Sequence, residues 1–257
     1  GALHLKAYYN ESVFRTSGTF TVPTGTTYTA QYVVIGGGGG GGGGVYYSSG
    51  SINYRAGGGG GGGGIASGRN TALAPSTYTI TVGAGGTSGP SRTDGTDWPT
   101  LGGVGGTSSA FGLTATGGQG GRASTYAANG SVGIPGGETG GQGQWSSNNG
   151  TVNQNAGQGA LSTVTTANTY WQSTRWATAG SGGLSGIWTV VQNSTTTSAS
   201  PAGALGARGT TAPSVPTEWG GGGGGGGVTR NADNTAFITH NGGVGANGAV
   251  GILWYNN

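Results

Sequence analysis

Tyr32-Val33-Val34-Ile35, then glycine without interruption from Gly36 to Gly44, then Val45-Tyr46-Tyr47: the reading of this stretch decides the fold. A run of glycine has no side chain to bury, and glycine loses more backbone freedom on ordering than any other residue. The run is therefore either a flexible linker or the one regular state that glycine alone permits at close range. That state is polyglycine II, an extended helix of three residues per turn with no internal hydrogen bonds. Its amides point outward, so each rod must bond to neighbours on several sides.

Two more runs, Gly57–Gly64 and Gly220–Gly227, repeat the pattern. Flexible linkers are usually mixed with serine and sit between hydrophobic domains. These runs are pure. Apolar or aromatic residues bracket them: Ile65 follows the second, and Trp219 and Val228 flank the third. Only twelve residues, 45 to 56, separate the first two. The packed lattice is the better reading. At a rise of about 3.1 Å per residue an eight-residue rod spans about 25 Å.

Outward from the runs, strand patterns recur. Residues 17–23 alternate around Phe20 and Val22; 28–35, 76–82 and 249–255 follow, the last with Val250, Ile252 and Trp254 on one side. No segment carries a helical apolar period with caps. Between 102 and 251, short glycine-rich stretches (102–106, 117–121, 136–143, 180–186, 203–209, 220–227, 242–251) alternate with aromatic and polar segments. The expected fold is mostly irregular and β. Layers of polyglycine II helices extend from a small antiparallel β-platform built from the N- and C-terminal strands, with little or no α-helix. Residues 1–11 read as a connector and 12–257 as one domain.

Composition removes several classes of function. The 257 residues include 66 glycines but only 6% charged residues, against roughly 25% in ordinary soluble chains. Seven Trp, eleven Tyr and four Phe separate the chain from plain disordered segments. The net charge of +3 comes from scattered single residues, with no basic cluster to suggest nucleic acid. Cysteine is absent, so no disulfide or thiolate site exists. No run of apolar residues is long enough to insert into a membrane. The opening Gly1-Ala2-Leu3, without methionine, reads as a processed product or a piece of a longer chain.

The chemistry of an enzyme is missing from the residue inventory. Of six carboxylates only Asp94 and Asp97 are close in sequence, and around Gly95 they read as turn residues. His4 and His240 lack any nucleophile context and read as solvated or terminal. Gly83-Ala84-Gly85-Gly86 follows a strand, but Ser88 replaces the third glycine of a dinucleotide turn and Pro90 follows. No metal, cofactor or catalytic site is expected.

What remains is aromatic. Tyr46, Tyr47 and Tyr54 lie between the first two runs, and Trp98, Trp145 and Trp188 in later segments. Residues 168–177 bring Tyr170, Trp171, Arg175 and Trp176 together. Some of these cap the edges of the slab. The others are candidate binding anchors, since exposed Tyr and Trp gain contact area at low entropy cost.

Val-Pro-Thr-Gly-Thr-Thr (22–27), a strand, a long glycine run, Thr-Tyr-Thr-Ile-Thr-Val-Gly-Ala-Gly-Gly (77–86) and the ending 242–255 together resemble the glycine-rich domain at the tips of phage tail fibres. The resemblance runs from about residue 12 to the end. It implies a three-layered polyglycine II bundle whose distal loops contact a bacterial outer-membrane protein or surface glycan; the matching loops are 45–56, 87–101, 144–156, 160–179 and 187–202. It also implies a virion location, the rest of the fibre as a second partner, and binding without chemistry. The alternatives are a structural glycine-rich fibre or surface-layer protein and, behind it, an antifreeze protein with a flat Thr/Ala face.

Overall fold

A computed structural model of the chain describes residues 10–49, 51–55, 57–93, 100–121, 145–146, 212, 216, 219–230 and 237–257. Among these residues there are thirteen strands and no helix: β1 (Asn10–Phe14), β2 (Gly18–Val22), β3 (Tyr28–Ile35), β4 (Val45–Ser49), β5 (Ser51–Arg55), β6 (Ile65–Leu73), β7 (Ser76–Ile80), β8 (Ser108–Ala110), β9 (Leu113–Ala115), β10 (Trp145–Ser146), β11 (Val228–Arg230), β12 (Phe237–Thr239) and β13 (Ala249–Asn256).

The glycine run 36–44 is the axis of the molecule. Its amides donate at 2.8–2.9 Å to three neighbours in strict rotation. Gly36, Gly39 and Gly42 bond Gly64, Gly61 and Gly58; Gly37 and Gly40 bond Gly106 and Gly103; Gly38, Gly41 and Gly44 bond Ala246, Gly243 and His240. Its carbonyls accept from three others: Gly37 and Gly40 from Gly118 and Gly121, Gly38 and Gly41 from Gly86 and Gly89, Gly39 and Gly42 from Gly223 and Gly226. The three-residue period is that of polyglycine II. Six rods, 57–64, 117–121, 102–106, 83–90, 242–248 and 220–227 in order around the ring, thus surround one. The rods that accept from the axis run antiparallel to it and those that donate run parallel, so direction alternates around the ring. Bonds between consecutive rods close it, for example Gly60 to Gly223 O, Gly61 to Gln119 O, Gly105 to Gly118 O and Gly245 to Gly86 O.

Glycine is required at the axis for a steric reason. A Cβ on Gly36, Gly37, Gly38, Gly39, Gly40 or Gly41 would run into the carbonyl oxygen of Thr116, Ala84, Gly221, Gln119, Thr87 or Gly224, respectively. The Cα hydrogen in that place points at the same oxygen, where it makes a weak Cα–H···O contact. In four of the surrounding rods the exposed positions recur every third residue and carry the side chains: Ala84, Thr87 and Pro90; Leu101, Val104 and Thr107; Thr116 and Gln119; Asn241, Val244 and Asn247. Rods 57–64 and 220–227 are buried along their whole length, in keeping with sequences of pure glycine.

The platform at one end of the rods is a four-stranded antiparallel sheet, β1-β13-β3-β6. Strands β3 and β13 are buried on both faces and read accordingly as near-continuous apolar runs. One face, with Ala30, Tyr32, Val34, Val250 and Ile252, packs on the β2–β7 ribbon and the β8–β9 hairpin through Phe20, Ile80 and Ala115. Tyr28 stacks on Trp254 at 4.5 Å, and Phe20 meets both rings edge-on. The other face gathers Val33, Ile35, Ala249 and Leu253 with Val13 and Trp219. Arg15 lies over the Trp219 ring at 5.3 Å, which fixes the entry to rod 220–227.

The strand and platform expectations agree with this arrangement. Four features differ. Residues 83–90, read as a failed nucleotide turn leading into a loop, form a rod: four non-glycine residues disguised it, and all are at least partly exposed. The last rod ends at Gly248, where β13 begins. Strand β6 (Ile-Ala-Ser-Gly-Arg-Asn-Thr-Ala-Leu) is mostly polar and follows a glycine run, so it had no apolar alternation to betray it. Strand β1 starts at Asn10, inside the segment read as a connector.

Two outcomes follow from the packing. Gly40→Val places its Cβ against the Thr87 carbonyl and lowers stability by more than about 3 kcal/mol, whereas Val104→Ala, at an exposed position, stays within about 0.5 kcal/mol; chemical denaturation measures both. Burial holds the Tyr32 phenol above its usual value of 10.0. The folded state thus favours the neutral phenol, and its contribution is intact below pH 10.0 and lost as pH rises through the higher folded value. The parent should lose more stability than Tyr32→Phe between about pH 8 and about pH 11; identical pH slopes would contradict this.

Candidate functional site

Strands β6 to β9 join rods at the platform, and other segments lie at the opposite end of the lattice. Rod 36–44 runs out from β3 and turns back through the β4–β5 hairpin into rod 57–64. Rod 83–90 runs out and rod 102–106 returns, so 91–93 and 100–101 lie at the same end. Rod 220–227 leads into the β11–β12 hairpin, and rod 242–248 returns to β13. Asn10 and Asn257 sit at the opposite end: Asn10 pairs with Trp254, and Asn257 N donates to Thr27 O at 3.0 Å. The end away from the sheet is the tip.

At the tip the axis rod passes directly into a β-surface. Gly44 N donates to His240 O, Arg92 N to Gly44 O and Tyr46 N to Arg92 O, at 2.9–3.0 Å. Three segments distant in sequence are therefore held at one point by backbone bonds. Val45 pairs with Arg55 on one side and bridges Arg92 on the other, while Trp145 of β10 pairs with Arg55. Trp145, Arg55, Val45 and Arg92 form one cross-strand row. Ser146, Tyr54 and Tyr46 form the next.

Side chains complete the joint. Thr100 is buried and its hydroxyl donates to Gly43 O at 3.0 Å. Asn241 Oδ1 accepts from Ser91 N at 2.7 Å, and Asn247 Oδ1 accepts from Gly85 N at 2.8 Å. Each asparagine takes the place a further rod would occupy beside 83–90, so the lattice is closed there by an amide side chain.

Of the candidate binding residues, the structure brings Tyr46, Tyr54 and Trp145 onto one three-stranded sheet, β10-β5-β4, and places Tyr47 opposite Asn53 in the same hairpin. Trp98, Tyr170, Trp171, Arg175, Trp176 and Trp188 lie outside the described residues. Arg92 and Thr100 fall in loop 87–101, expected at the distal end, though neither was singled out; His240 and Asn241 were missed as parts of the tip. His240, read as solvated or terminal, is half-buried, and its backbone bonds both Gly44 and Gly227. The available signal was its position immediately before Asn241-Gly242-Gly243. Among the described residues no group of three or more His, Asp or Glu could hold a metal ion, and no helix is long and apolar enough to cross a membrane.

The chain belongs to the glycine-rich domain family, whose model matches residues 15–255. No curated protein matches the chain.

Thr100→Val keeps the shape of the side chain and removes the bond to the buried Gly43 carbonyl. Such a loss costs about 1–3 kcal/mol, and a denaturation curve superimposable on the parent's would show that this bond does not secure the tip.

Proposed function

We propose that this glycine-rich domain is the receptor-binding tip of a phage tail fibre, and that its distal segments attach to a bacterial surface protein or glycan. The observation that carries the reading is the separation of ends. A rigid lattice about 25 Å long holds the described residues 45–49, 51–55, 91–93, 100–101, 228–230 and 237–241 at one end, and Asn10 and Asn257 at the other. An adhesin needs that arrangement: attachment at one end, variable sequence at the other, and no flexibility between. Loops on a rigid scaffold are where binding residues concentrate. The resemblance of the strand–polyglycine–strand order to tail-fibre tips supports the same reading.

The sheet β10-β5-β4 carries Tyr46, Tyr54 and Trp145, with Arg55 and Arg92 in the adjoining row, a mixture of aromatic and basic residues that suits recognition without chemistry. We read these aromatics as contacts, and Trp171 and Trp176 of segment 168–177 as further candidates from the sequence. Aromatic anchors of this type carry most of the energy in small interfaces.

The structural-fibre alternative requires open lattice edges through which copies add to one another. Asn247 fills one such position on rod 83–90, at Gly85 N, and Asn241 another just past its end, at Ser91 N, which favours a finished particle over a polymerising one.

Paired substitutions test the reading. Tyr46→Ser with Tyr54→Ser, and Trp171→Ala with Trp176→Ala, should each reduce adsorption to host cells at least tenfold, the loss expected for a hot spot of about 2 kcal/mol, with melting unchanged. Whole-cell binding across strains lacking single surface components identifies the receptor. Undiminished adsorption by both variants would remove these aromatic segments as the contact surface.

A further inference from the structure

A second surface lies on the platform, far from the tip. The ends of β6 and β7 and the β8–β9 turn enclose an open groove of about 500 Å³, within the range of small-ligand sites. Asn70, Leu73, Thr77, Tyr78, Thr79 and Phe111 line it, and no charged residue is among its walls.

Phe111 is the unusual member. It has a φ of 49°, and among the described residues it is the only non-glycine residue with a positive φ. With Gly112 (φ 78°) it forms a two-residue hairpin turn between Ala110 and Leu113. The first position of such a turn ordinarily takes Asn, Asp or Gly. A bulky aromatic there is strained, and strain of this kind concentrates at binding sites. The ring is held by Tyr32 at 4.6 Å, Tyr78 at 5.3 Å and Phe20 at 5.9 Å, yet stays half-exposed at the groove. Tyr78 is likewise half-exposed, and its hydroxyl is fixed by donating to Ala74 O at 2.8 Å.

Over the edge of β7, on the alternate face of the ribbon from Tyr78, runs a ladder of hydroxyls. Thr77 and Thr79 are exposed and pair across the ribbon with exposed Thr21 and Thr19; the Thr21 and Thr77 hydroxyls are 3.5 Å apart. Asn70 stands on the opposite wall, its Oδ1 held by Ala72 N at 2.9 Å.

From this combination we infer that the groove binds a neutral sugar unit of a glycan. A sugar presents an apolar C–H face, which Phe111 and Tyr78 match, and an equatorial belt of hydroxyls, which the Asn70 amide can meet beside the rings and Thr77 and Thr79 over the edge of β7. An acidic or phosphorylated ligand would call for Arg or Lys, and the lining has neither. A purely apolar ligand would leave the hydroxyl ladder unused. The site is independent of the tip and extends the reading given above to a second point of contact.

The test is a panel of immobilised neutral and acidic oligosaccharides, with affinities then measured by titration calorimetry. The folded domain should retain at least one neutral oligosaccharide. Two variants should weaken that binding at least tenfold: Thr77→Lys with Thr79→Lys, which changes only exposed positions, and Phe111→Asn, which removes the ring and suits the turn. The Tyr46→Ser, Tyr54→Ser protein should bind as the parent does, which separates this site from the tip. Retention of no neutral glycan, binding of acidic glycans alone, or neutral binding unchanged in both groove variants would each overturn the assignment.

Discussion

Everything in this molecule depends on how closely seven backbones can approach one another. The axis rod 36–44 meets all six neighbours at hydrogen-bonding distance, and its glycines carry Cα hydrogens where any other residue would drive a carbon into a carbonyl oxygen. The interior is hydrogen-bonded backbone where an ordinary domain has packed side chains. The sequence demand is correspondingly simple: no side chain at the axis, and side chains on the surrounding rods mainly at the position of each turn that faces away, with Ser88 and Ala246 beside it.

Such a lattice is poorly suited to starting its own formation. A net backbone hydrogen bond contributes about 1 kcal/mol, and ordering a residue's backbone costs about 1–2 kcal/mol, with glycine the most expensive. The sheet at the base supplies what the rods lack. Ile35 ends β3 fully buried and Gly36 continues directly from it; Ile65 and Ala249 open β6 and β13 where rods 57–64 and 242–248 end. The hydrophobic core fixes the spacing and direction of the rods at one end, and the period of three then sets their register along the length. The same rigidity lets the tip hold residues 44–46, 91–92 and 240–241 together without a core of its own.

The legible part of the fold followed from these constraints. Pure glycine runs, and the apolar strands β3 and β13 that bracket them, allow few alternatives, so the lattice and the platform could be read directly. Rod 83–90 could not, because its threonine, serine, alanine and proline look like a turn until the inward positions are known to be Gly83, Gly86 and Gly89. Strand β6 escaped notice because its residues are set by pairing with β3 and not by alternation. At the candidate site, the aromatic character of the 45–56 segment was visible, and Tyr46, Tyr54 and Trp145 do share a sheet. Loop 87–101 was expected at that end, but the contacts of Arg92 and Thr100 with the axis, and the presence of His240 and Asn241, were invisible because backbone bonds between distant rods create them. The platform groove was hidden for a similar reason: nothing in Ala110-Phe111-Gly112 announces that the phenylalanine adopts a left-handed conformation.

Native-state hydrogen exchange of the Gly36–Gly42 amides tests the central claim most directly. As the innermost donors of a packed lattice they should be among the slowest-exchanging amides of the protein, with opening free energies close to that of global unfolding. Exchange of these amides at the rate of an unstructured glycine peptide, while those of β3 and β13 remain protected, would show that the run is a linker and would contradict the account.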